Sequence, residues 1–352
     1  MGNNKKKKGN KKGKKSNELP FVSVCTPTFN RRPFIPFAIR CFLHQDYPLD
    51  KMEWIIIDDG TDKIGDLVKD VPNVKYFSYD EKMKLGKKRN LMHAKSKGDI
   101  IVYLDDDDYY PPNRVSHAVQ MLRTHKTALC AGSSIIHIYF KHDQKVWEFG
   151  PYGPRHATAG TFAFKRDLLK ITKYNEEASL AEEKDFLKEY TIPFVQLEPK
   201  KTILVFSHIH NTFDKRKLLT PKYRSELVKP TEMSVDEFVK DPVLKQFYMH
   251  DIDNLLSYYP EGNPNMKPDV IAQTKVLEKK RDKMQKDMMM QQNTTPNDKT
   301  PIVVTEKDGK QRELRMQEVV QIINDLQETV KQKDKEIDSL KKQVQTLVEK
   351  QE

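Results

Sequence analysis

The chain is poor in the residues that staple or anchor a protein. Only three cysteines, Cys25, Cys41 and Cys130, occur in 352 residues. They are widely separated, show no zinc-ligand spacing, and their odd number argues against a disulfide framework. A reducing, cytoplasmic setting is the expectation. No run approaches the ~18 uninterrupted apolar residues of a membrane-spanning helix. The N-terminus has no apolar core, so it does not read as a secretory signal. It begins Met1-Gly-Asn-Asn-Lys-Lys, and Lys6 stands where a myristoylation motif needs Ser or Thr. The hydrophobic class is only 37% and charged residues are 32%. That is too polar for one globule, so segments outside any core are expected.

The charge that is present is uneven. The formal net charge is +11, but residues 1–18 hold eight lysines against one glutamate, a local +7, which leaves +4 for the rest. A basic globular domain is therefore not implied. Residues 1–18 read as a disordered Lys/Gly/Asn tail. Such a tail suits a polyanion or an anionic leaflet, and so a peripheral membrane position, with a purely solubilising tail as the alternative.

Residues 19–220 alternate strand and helix signals. Phe21 to Cys25, Trp54 to Ile57, Val74 to Phe77 and Ile100 to Leu104 read as strands. Pro36 to Gln45, Ile64 to Lys69, Lys87 to Lys97 and Arg114 to His125 read as helices. This order predicts an α/β domain with a mostly parallel sheet. Ligands in such sheets sit beyond the carboxyl ends of the strands. Three of those ends are polar: Thr26-Pro-Thr, Asp58-Asp-Gly and the quartet Asp105 to Asp108. Four adjacent carboxylates repel one another unless a hard cation, with oxygen ligands, sits among them. The alternative is a solvated acidic turn that caps the next helix.

Residues 221–292 read as a helical extension. Residues 293–313 read as a linker with a small hairpin turning at Lys307-Asp-Gly-Lys. In residues 314–352, Met316, Ile323, Val330, Ile337 and Val344 recur every seventh position, and Val319, Leu326, Lys333, Leu340 and Leu347 follow three later. This is a five-heptad seam that predicts a coiled coil and a parallel homodimer, interrupted at Lys333. A single amphipathic helix packed on the domain is the alternative.

Four motifs occur in order: Val22-Ser-Val-Cys-Thr-Pro-Thr-Phe-Asn-Arg, Ile55-Ile-Ile-Asp-Asp-Gly-Thr, Gly86-Lys-Lys-Arg-Asn and Val102-Tyr-Leu-Asp-Asp-Asp-Asp. Together they resemble family 2 glycosyltransferases of the inverting type with a GT-A fold, over residues 19–215. The resemblance implies a sugar transferred from a nucleotide-diphospho-sugar, a UDP-sugar by expectation, to a saccharide, protein or lipid hydroxyl. It implies that Thr26, Pro27, Thr28, Asn30 and Arg31 cradle the nucleoside, with Asp58 or Asp59 accepting from the base. Thr26 and Asp59 could instead cap their turns. Lys87 and Arg89, at a helix start, would favour the diphosphate, with Lys88 on a solvated face.

By the same resemblance Asp107 is the direct ligand of Mn²⁺ or Mg²⁺, and Asp105 and Asp106 contact ribose or metal-bound water. Asp108 caps the next helix. The general base follows a Gly-containing acceptor loop, here Ala159-Gly160-Thr161. Ala181-Glu-Glu-Lys-Asp-Phe fits the base motif with Glu183 where the family has Asp, so the candidates run Glu183, Asp185, Glu182. His208 or His210, in Ser207-His-Ile-His-Asn-Thr, would complete the metal site or touch phosphate, and strand alternation would put both on one face. An aromatic of the loop from Trp147 to Arg155 would stack on a sugar. Two other readings remain: a non-catalytic coiled-coil scaffold that keeps the sugar-nucleotide fold, and a nucleotidyltransferase, which the lack of a glycine-rich loop near the first strand disfavours.

Overall fold

The computed structural model describes residues 18–211, 213–220, 225–294, 302–305, 311–314 and 316–348. The lysine tail, the expected hairpin turn at 307–310 and most of the linker lie outside them. The described chain forms two compact units that divide at Lys280 and Arg281.

In the first unit, alternation along the central strands decides the architecture. β1 (Val22–Thr28), β2 (Met52–Asp58), β3 (Val74–Ser78) and β4 (Ile100–Tyr103) are parallel neighbours in the order β3-β2-β1-β4. Val22, Val24, Trp54, Ile56, Ile100 and Val102 enter one apolar cluster with Phe42 and Leu122. Cys25, Ile55, Ile57, Ile101 and Tyr103 enter another with Met92 and Phe186. A sheet apolar on both faces must be covered on both. One cover is α1 (Ile35–Leu43) with α4 (Arg114–Thr124); the other includes α3 (Leu85–Lys95). A short α2 (Gly65–Val68) joins β2 to β3.

The sheet continues through three strands with no local sequence signature: β5 (Cys130–Gly132), β8 (Ala163–Lys165) and β9 (Phe194–Gln196). β8 runs antiparallel to both β4 and β5, which makes the sheet mixed. A second sheet, unforeseen in the sequence, has the order β10-β6-β7-β11, from β6 (Ile136–Phe140), β7 (Lys145–Phe149), β10 (Leu204–Phe206) and β11 (Val228–Pro230). Trp147 belongs to β7 and is buried, with its indole N–H on Asp143 Oδ2 at 2.7 Å, so it is no sugar-stacking loop residue. Tyr152 of the same stretch is exposed.

The segment expected to be a purely helical extension thus supplies a strand, β11. It also holds α6 (Pro242–Gln246) and α7 (Ile252–Ser257), whose Leu244, Ile252 and Leu256 share a core with Phe34, Cys41 and Phe206. The remaining helix of this part, α8 (Pro268–Thr294), follows a turn at Pro264–Met266. α5 (Glu183–Phe186) is a single turn.

In the second unit β12 (Ile302–Thr305) pairs antiparallel with β13 (Gln311–Leu314), and α9 (Met316–Val348) is one helix of 33 residues. No helix among the described residues is long and apolar enough to cross a membrane. All three cysteines are buried and free.

Candidate active site

β1 pairs Thr28 with Asp58 of β2, and Cys25 with Tyr103 of β4, so the three polar strand ends lie side by side. Their side chains do not all face outward. Thr26 is buried; its hydroxyl donates to the Leu104 carbonyl at 2.6 Å and accepts from the Trp54 indole at 2.8 Å. Asp58 accepts from Gly60 and Ile64 N–H groups at 2.9 and 3.1 Å and from the Tyr76 hydroxyl at 2.7 Å. It is fully buried, and its carboxylate holds the turn after β2. Asp59 accepts from the Met83 N–H at 2.6 Å and pairs with Lys88.

Lys88 is a correction. The sequence put it on a solvated face; it is buried, with its ammonium on Asp59 and on the Thr28 carbonyl at 2.9 Å. Helix phase explains this: α3 turns Lys87 to solvent and its two successors toward the strand ends. Burial lowers the Lys88 pKa, and Asp59 opposes that. Pro27 is half-buried and Thr28 buried. Asn30, at φ 51°, uses its Oδ1 to accept from the N–H groups of Thr61 and Asp62 at 2.7 and 3.0 Å, which ties the loop after β1 to the loop after β2.

The aspartate quartet is differentiated by its neighbours. Arg31, buried, lies 3.7 Å from Asp106 Oδ1 and 3.5 Å from Asp107 Oδ2. His208 Nε2 is also 3.5 Å from Asp107 Oδ2. Burial would raise the Asp107 pKa, but His208, Arg31 and Lys215 outweigh it and hold it far below the usual carboxylate range. Burial, then Asp107, pushes Asp106 up to about 7. Burial raises Asp105 although Arg89 opposes, and burial with Asp107 raises Asp108 well above its ordinary value. Asp107 is thus the member that ionises most readily. Asp105 Oδ1 and Asp108 Oδ1 are buried without a hydrogen-bond partner. Hard oxygen donors of this kind fit a divalent cation. Among the described residues no three His, Cys, Asp or Glu side chains are grouped closely enough to hold an ion alone.

Arg89 lies between this corner and Glu182. Its Nε donates to Glu182 Oε1 at 2.7 Å, and its other end is 3.9 Å from Asp105 Oδ1. Gly160 brings the loop of Ala159 to Thr161 against the quartet: a Cβ there would lie 2.8 Å from Asp105 Oδ2, so a larger residue would have to displace that carboxylate. One residue earlier, the Ala159 N–H donates to Glu183 Oε1 at 3.2 Å. Asp105, Gly160, Ala159 and Glu183 therefore form a continuous line of contacts. Burial, then the neighbouring Glu182, raises the Glu183 pKa to about 7. Asp185 is exposed and Glu182 is committed to Arg89.

The histidines differ from the expected strand pair. β10 ends at Phe206, and Ser207 to Asn211 form a turn, so alternation does not apply. Only the His208 ring meets the quartet. His210 contributes its carbonyl, which accepts from Arg31 at 3.1 Å. Burial lowers both imidazoles to about 4, so both are neutral near pH 7.

Two cations escaped the sequence reading. Lys215 acts on Asp105, Asp107 and Asp108, and Lys267 on Asp106 and Asp107. Burial and Arg31 push Lys267 down to about 7. Each lies far along the chain from the strand ends it faces, and no local pattern marks either.

The sequence model of Glycosyl transferase family 2 matches residues 23–182, which covers the strand ends, the quartet and Glu182. This domain belongs to glycosyltransferase family 2. The putative colanic acid biosynthesis glycosyl transferase WcaA of Escherichia coli is 33% identical over 102 residues, 28% of this chain and 36% of that protein. The GalNAc(5)-diNAcBac-PP-undecaprenol beta-1,3-glucosyltransferase of Campylobacter jejuni is 32% identical over 97 residues, 26% of this chain and 30% of that protein. The chain therefore spans about a third of the length of these relatives. The crystal structure of S. aureus TarS 1-349 aligns with 53% of this chain and 60% of its own, at 19% identity and a TM-score of 0.43.

Proposed function

We propose that this family 2 domain transfers a sugar, with inversion, from a nucleotide-diphospho-sugar to a hydroxyl of a saccharide, protein or lipid acceptor. The observation that carries this reading is the line from the quartet through Gly160 and Ala159 to Glu183. It sets the aspartate corner, which would hold a cation, and a carboxylate of raised pKa on opposite ends of one short loop. Inversion requires attack opposite the leaving group, and so needs these two functions on either side of the anomeric carbon.

Asp107, with Asp105, would hold Mg²⁺ or Mn²⁺, and the donor's phosphates would complete its ligands. Such an ion supplies Lewis-acid neutralisation of the leaving diphosphate. Arg31, Lys215 and Lys267 surround the same corner and would bind the phosphates directly. Glu183 accepts the proton of the attacking hydroxyl. Arg89 holds Glu182 beside it; the Glu182 charge favours the base's proton affinity, and the Arg89 charge offsets part of that. Asp58 and Asp59 already accept from protein donors, so the loop after β1 would carry most of the contacts to the donor's nucleoside.

The second unit supports a further part of the proposal, a parallel homodimer through α9. Ile323, Leu326, Val330, Ile337 and Leu340, on one seam, are 47–60% exposed in the single chain. β-Branched residues at the first seam position and Leu at the second favour two parallel strands.

The test of the donor assignment is a melting-temperature screen of nucleotide-sugars with and without Mn²⁺. The proposal expects one nucleotide-diphospho-sugar to raise Tm, more so with the metal, and that shift to be lost in Asp107→Ala. A protein indifferent to every donor with and without metal would contradict it.

A further inference from the structure

The chain from Ile171 to Glu182, a stretch without helix or strand, ends on Glu182 and leads directly into Glu183 at the start of α5. Its first half is held by α3. Asn90 exchanges two hydrogen bonds with the Tyr174 backbone, both 3.0 Å, and the Gly86 N–H donates to the Ala178 carbonyl at 2.8 Å. Its second half is held by α8, which lies outside the residues matched to the family. The N–H groups of Ser179 and Leu180 both donate to Gln273 Oε1, at 2.7 and 3.0 Å. A carboxamide oxygen has two lone pairs, and both are used. The Ser179 hydroxyl donates to Asp269 Oδ2 at 2.8 Å. Asp269 and Gln273 are four apart, on one face of the helix. Directly after this anchor Ala181 adopts φ 55°, a left-handed backbone that costs energy for alanine and needs support from its surroundings. Glu182 and Glu183 come next.

The same aspartate reaches the donor side. Asp269 Oδ1 pairs with Lys82 at 2.5 Å, and the Lys82 ammonium lies 5.4 Å from the centre of the Phe29 ring, in the loop after β1. A chain of contacts thus runs from the nucleoside loop, through Lys82, Asp269 and Ser179, to the acceptor-side glutamates.

We propose that Gln273 and Asp269 are positioning residues for Glu182 and Glu183. Gln273 fixes the backbone that enters the left-handed turn, and Asp269 ties that backbone to the donor loop. This rests on the reading of Glu183 as the base. Neither residue touches the reacting atoms; each acts through the turn.

The test is steady-state kinetics of the full chain against pH, with donor and acceptor varied. Removing Gln273 Oε1 lets the turn relax, moves Glu183 away from Glu182 and opens it to water. Gln273→Ala should lower kcat by roughly 10²-fold, the scale of a 1 Å misplacement. Its acid limb should also move down from about 7 toward the usual carboxylate range, with donor KM nearly unchanged. Gln273→Glu keeps an acceptor oxygen at the same reach and should restore most of kcat and the limb. Asp269→Asn keeps an oxygen for Ser179 but loses the Lys82 pair, and should raise donor KM as well as lower kcat. If Gln273→Ala does not fold, the other two variants carry the test by the same readouts. Wild-type kcat and an unmoved acid limb in Gln273→Ala, or wild-type donor KM and kcat in Asp269→Asn, would overturn the proposal. Full activity in Glu183→Gln would instead overturn the base assignment on which it rests.

Discussion

At the scale of single residues, environment separates groups that look alike in the sequence. Glu183 and Asp185 stand two apart, yet Asp185 is exposed while Glu183 accepts from the Ala159 N–H, and burial with Glu182 raises the Glu183 pKa to about 7. A base acts when deprotonated, and its raised pKa moves the acid limb upward. The rate should fall tenfold per pH unit below about 7, read in a pH–rate profile; a limb at the ordinary carboxylate range would contradict this. Glu183→Gln should lose about 10²–10⁴-fold in kcat while the donor still raises Tm. Lys88 and Asp59 form a buried pair, and removing one partner strands the other charge. Lys88→Met should therefore cost about 3–5 kcal/mol, seen by urea unfolding, and Asp59→Asn in the same chain should recover part of it. The acids of this site were legible because runs of carboxylates at strand ends are conspicuous. Of the cations, Arg31 and Arg89 were legible from their motifs; Lys88, Lys215 and Lys267 were not. Lys87 and Lys88 differ only in helix phase, and Lys215 and Lys267 arrive from segments whose local sequence carries no sign of the site they face.

At the scale of elements, the short apolar runs of β1, β2 and β4 between helical segments predicted a mostly parallel sheet, and the fold obeys it with both sheet faces buried. β1 runs further than expected, through Thr28. Pro27 pairs there with β2, while β4 has already ended its pairing at Tyr103, so the missing N–H costs the sheet little on that side. The short strands β5 to β11 were unreadable because three to five residues hold too little pattern, and their partners are distant in sequence. α9 is the opposite case, since its heptads state the seam without any tertiary information. Lys333 is its one charged position and pairs with Glu336 of its own helix at 2.7 Å. If α9 pairs as proposed, Lys333→Leu should raise the melting temperature of that dimer, and Ile337→Ser with Leu340→Ser should yield monomers in sedimentation. A dimer that survives the double change would show that the seam is not its interface.

At the scale of the whole molecule, the first unit extends well past the family-matched segment, and the added chain is part of the site. Gly262 and Glu261 lend carbonyls to Arg31 and Asn30, at 3.3 and 2.8 Å. Lys267 adds charge to the quartet, and α8 anchors the stretch before Glu182. Such long-range closure is what a sequence pattern conveys least. The proposed transfer needs two carboxylates, Asp107 and Glu183, at opposite ends of the Ala159–Gly160 loop. The most direct measurement is sugar transfer from the donor identified by thermal shift, in Mn²⁺, by the unaltered chain, Asp107→Ala and Glu183→Gln. The account predicts turnover by the first, loss of metal-dependent turnover in the second, and loss of transfer with donor binding intact in the third. Turnover unaffected by both substitutions would contradict it.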